Sequence, residues 1–262
     1  MTAALIVHRG GRLTDQVDSI DSDVVVLTCA EGARGRWLAV NGSPRAIPPP
    51  GSPVAGCTTV ALPARPGRTD IDPILLDLAP RRVVVAGIDA VLAAVLLRLL
   101  RTDRLDTEVA YVPVSRSSSA ATVWGLPRGR AAMELALDGS AVAVPLVRDD
   151  NGGVLVGRGE IRGLRGECYC DNVLVLRGTA RRLVVAPGPD GVAVRAGRGG
   201  RLPDGLVRPV PQVASGRGSA AGRAVQVGCL PATVVSDGVA HPRAVERWTW
   251  YRHTSDWLLV RA

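Results

Sequence analysis

The sequence has no lysine and no phenylalanine, and aromatic residues make up only 3% of it. All 32 cationic side chains are arginine, against 24 acids, for a formal net charge of +8. Together with abundant Ala, Val and Gly, this is what a GC-rich coding sequence produces. The arginines are spread along the chain and form no block. The expectation is a basic, solvated surface that favours anionic partners, not a patch for specific nucleic-acid binding. Cysteines are few and odd in number: Cys29, Cys57, Cys168, Cys170 and Cys229. A disulfide framework is not expected in so long a chain. Cys168-Tyr169-Cys170 has neither a second pair nor a histidine cluster beside it, and alternation along a strand accounts for its spacing. Long apolar runs are also missing. The most apolar stretch, Val83 to Leu100, is broken by Asp89 and Arg98 and falls short of the ~18 uninterrupted residues of a membrane span. Met1 to Val7 lacks the charged start and apolar run of a signal peptide. The expected location is cytoplasmic, with peripheral membrane association left open. HExxH, GxSxG and the Rossmann fingerprint are absent, so the zinc-protease, serine-hydrolase and dinucleotide-binding readings have no support.

What is present is an ordinary globular balance. Of 262 residues, 47% are hydrophobic and 21% charged, enough for a large core in one or two domains. Short apolar runs at Ala3–Val7, Asp23–Thr28, Arg82–Ala86 and Thr107–Pro113 read as buried strands. Residues 41–68 are proline-rich irregular chain, with room for a strand at Thr58–Leu62. Asp72-Pro73 reads as a helix cap followed by proline at the first helical position. Ala90–Leu100 and Arg130–Leu137 read as helices, the second ended by Gly139. Alternating strands and helices predict an α/β domain over 1–139 with a doubly wound, mostly parallel sheet.

After Gly139 the pattern changes to short β-rich runs: 141–147, 154–158, 172–177, 182–186, 191–196, 224–227 and 233–236. Turn signals such as Asp150-Asn151-Gly152-Gly153 and Asp237-Gly238 separate them. This spacing predicts an all-β, sandwich-like domain over 140–262, whose last segment could pack back on the first domain. Residues 197–222, rich in Gly, Pro and Arg, read as a mobile excursion.

Three loops in this order resemble the diacylglycerol kinase and bacterial lipid kinase family. The family's first landmark is a strand, then GGDGT, then a helix. Here Val83–Ala86 is followed by Gly87-Ile88-Asp89-Ala90-Val91, with Gly87 and Asp89 in register. The second is P-L-G-T-G-N-D-F-A, then roughly L-G-x-P. Here Pro113-Val114-Ser115-Arg116-Ser117-Ser118-Ser119-Ala120-Ala121 precedes Trp124-Gly125-Leu126-Pro127. The third is a late V-D-G-E turn, here Ser236-Asp237-Gly238-Val239. A fourth family feature, a first strand ending N-P-x-x-G, falls on His8-Arg9-Gly10-Gly11.

The resemblance implies ATP and Mg2+ as cofactors, a lipid hydroxyl as acceptor, and phosphoryl transfer as the reaction. That chemistry needs close backbone approach to phosphate, a carboxylate for the metal and a base for the attacking hydroxyl. Gly87, Asp89, Ser115, Arg116, Ser117 and Ser118 are the candidate nucleotide-binding residues, with Asp89 the candidate magnesium ligand. Asp89 and Asp237 are the candidate catalytic carboxylates. The motifs are eroded, however. Ile88 and Ala90 replace two glycines, serines replace the second loop's glycines and its Asn-Asp, and Val239 replaces the late Glu and cannot accept a proton. The reading is therefore a divergent lipid-kinase-like protein with weak or lost transfer. Its alternatives are a rearranged active kinase and a non-catalytic module that binds nucleotide, phospholipid or protein, alone or as an oligomer. Trp248 and Trp250, alternating near Arg247 and Arg252, read as one strand face, suited to a phospholipid interface, to base stacking or to covering a domain junction.

Overall fold

A computed structural model of the chain describes residues 24–28, 58–63, 65–77, 79–197 and 218–262. The strand expected at Ala3–Val7, His8 and Arg9, Cys29 and Cys57, and most of the proline-rich and Gly/Pro/Arg-rich segments lie outside these residues. The chain divides into two units, residues 1–144 with 256–262, and residues 145–255.

The first unit is built on β1 (Val24–Thr28), β2 (Thr58–Ala61), β3 (Arg82–Gly87), β4 (Glu108–Pro113), β5 (Ser140–Val144) and β16 (Trp257–Arg261). Their order in one sheet is β2-β1-β3-β4-β16-β5. The first five neighbours run parallel, and β5 pairs antiparallel to β16. In β3, Val83 to Ala86 are at most 1% exposed. An unbroken apolar run is what a strand covered on both faces requires. Ser140–Val144, beyond the change of pattern at Gly139, belongs to this sheet because the distant Trp257–Arg261 supplies its partner.

Among the described residues, four helices accompany the sheet: α1 (Arg68–Asp77), α2 (Asp89–Arg101), α3 (Ser119–Val123) and α4 (Arg130–Asp138). In α2 the buried residues Val91, Leu92, Val95, Leu96 and Leu99 form one stripe at helical spacing. The structure corrects the start of α1. Pro73 lies inside the helix, and Asp72 is not its cap. Burial of Ile71 recruits an extra turn. The Asp72 carboxylate instead accepts a two-pronged pair from Arg98 of α2, at 2.6 and 2.7 Å. On one face of the sheet Ala132, Met133 and Ala136 of α4 pack with Val84, Ala110 and Val260. Arg82 fixes the end of α4 by donating to the Ala136, Leu137 and Gly139 carbonyls, a cation at a helix C-terminus.

The second unit consists of β6 (Val147–Asp149), β7 (Val154–Leu155), β8 (Gly159–Cys170), β9 (Val173–Gly188), β10 (Gly191–Gly197), β11 (Ser219–Gly222), β12 (Ala224–Ala232), β13 (Val234–Ser236), β14 (Val239–Ala240) and β15 (Val245–Arg252). The main path is β11-β10-β9-β8-β12-β15-β6-β7, with β13 paired to β8 and β14. The two runs read at 172–177 and 182–186 are one strand of 16 residues. Its partner β8 carries a core of Ile161, Leu164, Cys168 and Cys170. Both cysteines of the Cys-x-Cys pair are thus core residues. Burial pushes the Cys168 thiol up to about 12. Trp248 and Trp250 share the core face of β15, ring centroids 5.9 Å apart and at most 3% exposed. Trp257 is buried in the first unit, edge-on to Trp124 at 5.9 Å. None of these three rings offers a face to lipid or base.

Candidate functional site

Strands β3 and β4 are parallel neighbours with Gly87 opposite Pro113, so the loops that follow them leave the same sheet edge side by side. Gly87 ends β3, and Ile88, extended at φ −86° and ψ 163°, leads into α2. Asp89 is the first residue of that helix and is 8% exposed. The second loop crosses from Pro113 to Ser118, which caps α3 by accepting the Ala121 N–H at 3.0 Å. The five-residue α3 begins against Asp89.

The Asp89 carboxylate joins the two loops. Its Oδ1 accepts the Tyr111 hydroxyl at 2.8 Å and the Ser118 hydroxyl at 2.5 Å. Its Oδ2 accepts the Ser119 N–H at 2.8 Å, the Ser119 hydroxyl at 2.7 Å and the Ala120 N–H at 3.1 Å. An ionised carboxylate has about four lone-pair sites. Five donors from β4, the second loop and α3 therefore fill its accepting capacity. Gly87 is tied into the same knot, its carbonyl accepting the Tyr111 hydroxyl at 3.0 Å and the Val114 N–H at 3.1 Å.

Of the candidate nucleotide-binding residues, the structure brings Gly87, Asp89 and Ser118 together in this knot. Ser115 and Ser117 face each other instead, hydroxyl to hydroxyl at 2.9 Å, with the Ser117 N–H on Ser115 Oγ at 3.2 Å. That is a local serine turn. Arg116 is exposed between them. Sequence reasoning missed Tyr111 and Arg128, and left Ser119, though read as part of the second loop, out of the candidate set. Tyr111 could have been found as the one hydroxyl inside the apolar run Val109–Val112, where a buried polar tip needs a partner. Arg128 reaches back to the Ser118 carbonyl at 3.3 Å and the Thr122 hydroxyl at 3.2 Å.

Asp237 lies in the second unit. With Gly238 it forms a two-residue hairpin turn, φ 50° and 86°, between β13 and β14. Both residues in the left-handed region is the signature of a type I′ turn. The Asp237 carboxylate is 8% exposed as a residue and accepts three consecutive backbone N–H groups, Val156 at 2.9, Gly157 at 2.8 and Arg158 at 2.9 Å. Val239, at the place of the family's Glu, is 42% exposed.

No protein-family model matches the sequence, and no curated protein matches it. Solved structures do. A protein of Bacillus anthracis str. Sterne assigned as a diacylglycerol kinase superposes with a TM-score of 0.60 at 11% identity, over 94% of this chain and 99% of its own. A second diacylglycerol kinase structure from the same organism gives a TM-score of 0.60 at 10% identity, over 92% and 97%. An NAD kinase of Archaeoglobus fulgidus matches more loosely, with a TM-score of 0.48. The chain has a diacylglycerol-kinase-like fold, as the three eroded loops imply. At 10 to 11% identity the likeness is one of fold. Among the described residues, no helix is long and apolar enough to cross a membrane.

Proposed function

We propose that this protein is a divergent member of the lipid kinase fold that has lost effective phosphoryl transfer and serves as a non-catalytic binding module for anionic phospholipid at a membrane surface. The observation that carries the reading is the state of its two surviving carboxylates. Asp89 is filled by five donors and Asp237 by three backbone N–H groups. A magnesium ligand needs an oxygen lone pair facing open space, and a general base needs one facing the substrate hydroxyl. Were Mg2+ and ATP to bind, Gly87, Asp89 and the Ser115–Ser118 loop would hold them, and the metal would supply charge neutralisation at the transferred phosphoryl group. For Asp89 that fit fails in the described geometry, because a metal would have to displace hydroxyl and amide donors that also fix α3. The loss of Ile88 and Ala90 positions to side chains, where the family has glycine, supports the same reading. We place the protein in the cytoplasm, docked peripherally on its lipid, with a doubly wound first domain.

The test is calorimetric titration of Mg·ATP into the full chain, beside a transfer assay from labelled ATP to diacylglycerol in mixed micelles. The expected result is no magnesium-dependent binding at millimolar ATP and no labelled lipid. Magnesium-dependent binding weakened by Asp89→Asn, or transfer abolished by Asp237→Asn, would overturn the proposal.

A further inference from the structure

Side chains alternate across β8, β9 and β10, so one face of this part of the sheet is core and the other is not. Ile161, Leu183, Val185, Val192 and Val194 point to the core. The register places Glu160 opposite Val184 and Val184 opposite Arg195, while Arg162 lies opposite Arg182. All of these belong to the other face. Ala186 and Ala193 are paired in the next row. The outcome is a groove of about 360 Å³ whose floor includes Val184, Ala186 and Ala193 and whose lining includes Arg195 and Ser219.

Arg195 lines this groove, and three further arginines cluster around Glu160 on the same part of the sheet. Arg158, Arg162 and Arg182 all form ion pairs with Glu160, Arg158 at 3.9 Å and Arg182 at 3.2 Å. Glu160 is 4% exposed at its side chain, whereas the three arginines are 52, 71 and 49% exposed. One buried carboxylate thus holds three partly exposed guanidinium groups. Arg195, exposed at the groove wall, has no ion pair among the described residues. Four positive charges stand around one negative charge, over a floor of small aliphatic side chains.

We infer that this face of β8–β11 is the docking surface for an anionic phospholipid membrane. The inference rests on the lipid partner proposed above and not on the loss of phosphoryl transfer. Charge complementarity selects an anionic surface, since three of the four guanidinium charges remain uncompensated. The floor selects lipid over nucleic acid. Val184, Ala186 and Ala193 suit acyl chains near the headgroups, and the floor has no aromatic ring on which a base could stack. Exposed arginines beside an apolar floor are the combination that interfacial cations and apolar residues make in peripheral proteins.

The experiment is co-sedimentation of the full chain with vesicles of phosphatidylcholine alone and with phosphatidylglycerol added, in low and high salt. Arg195→Glu and Ala186→Glu are compared with Arg130→Glu, a charge reversal in the other unit, and thermal melts confirm that each variant is folded. Arg195 holds no ion pair among the described residues and is not one of the three Glu160 partners, so its reversal leaves the Glu160 cluster intact. Binding should require phosphatidylglycerol, weaken with salt, and fall roughly tenfold or more in Arg195→Glu and Ala186→Glu while Arg130→Glu binds as wild type. Binding that both groove variants retain would overturn the assignment of this face and leave the lipid partner standing. No vesicle binding would overturn both. Duplex DNA binding as tight as vesicle binding and lost in Arg195→Glu would make the face a nucleic-acid site and overturn the membrane assignment.

Discussion

Replacing Asp89 by alanine distinguishes a structural carboxylate from a catalytic one by the sign of its effect on stability. The wild-type carboxylate accepts five hydrogen bonds, and their fates on its removal differ. The Tyr111 hydroxyl keeps the Gly87 carbonyl at 3.0 Å. Ser119 is half-buried, so water can replace the lost acceptor for its N–H and hydroxyl. The Ser118 hydroxyl and the Ala120 N–H are buried, and they lose their acceptor. A stranded buried donor costs about 1–3 kcal/mol, so these two together set a loss of about 2–6 kcal/mol. At this chain length that corresponds to a fall of about 10 °C in Tm.

A carboxylate retained for metal binding behaves oppositely, because functional sites are commonly held at a cost to stability and their removal tends to stabilise. Urea titration at neutral pH without metal therefore decides between the two. Asp89→Ala should lower the midpoint strongly. In a double-mutant cycle with Ser118→Ala, the pair should couple by about 1 kcal/mol or more. An Asp89→Ala protein within about 0.5 kcal/mol of wild type, or above it, would refute the argument, since that is the range of substitutions that touch nothing important.

Two further outcomes follow from single side chains. Burial raises the Asp149 carboxyl above its ordinary 3.8, outweighing the Gly153 and Asn151 N–H groups that pull it down. The folded chain then holds this proton more tightly than the unfolded one, so this contribution is full below about pH 3.8 and is lost as pH rises through the folded value. Asp149→Asn keeps an acceptor for both N–H groups and should flatten that decline, making the variant the more stable protein at pH 7 by chemical denaturation; a variant weaker at pH 7 would contradict the sign. Ser119→Asp would set a second carboxylate against Asp89, where the Ser119 hydroxyl now lies 2.7 Å from Oδ2. Two such carboxylates cannot both ionise unpaired, so the variant should melt lower than wild type and regain stability when millimolar Mg2+ or Ca2+ is added; a melt indifferent to divalent cations would count against it.

The parts of the fold that were legible carry local signals. Val83–Ala86 and the stripe from Val91 to Leu99 are continuous in sequence, and Asp237-Gly238 carries its own turn geometry. What escaped depended on distant partners. Strand β8 is masked by Gly163, Gly166 and four charged residues, and exists as a strand because β9 and β12 pair with it. Strand β5 joins the first sheet only through the last residues of the chain. Helix α1 runs through a proline because Arg98, twenty-six positions on, holds Asp72. The candidate site divides in the same way. Sequence placed Gly87, Asp89 and Ser118 at adjacent loops, but the bonds that occupy Asp89 come from Tyr111 and Ser119, whose polar groups become visible only when β3 and β4 lie side by side.

The survival of Asp89 amid eroded motifs has a physical reason independent of catalysis. In the family pattern that this chain resembles, the position of Ser119 is an aspartate and that of Ser118 an asparagine. An acid at 119 would face the Asp89 carboxylate at hydrogen-bond range, an arrangement that needs a cation or a shared proton between the two. Serine at both positions reverses the interaction. Each hydroxyl donates to Asp89, at 2.5 and 2.7 Å, and the knot closes without metal. Once the hydroxyls are in place, Asp89 can no longer be dispensed with, because Ser118, Ala120 and the start of α3 depend on it. The residue that reads in sequence as the last trace of an active site is, in the fold, the one whose structural role the serines make compulsory.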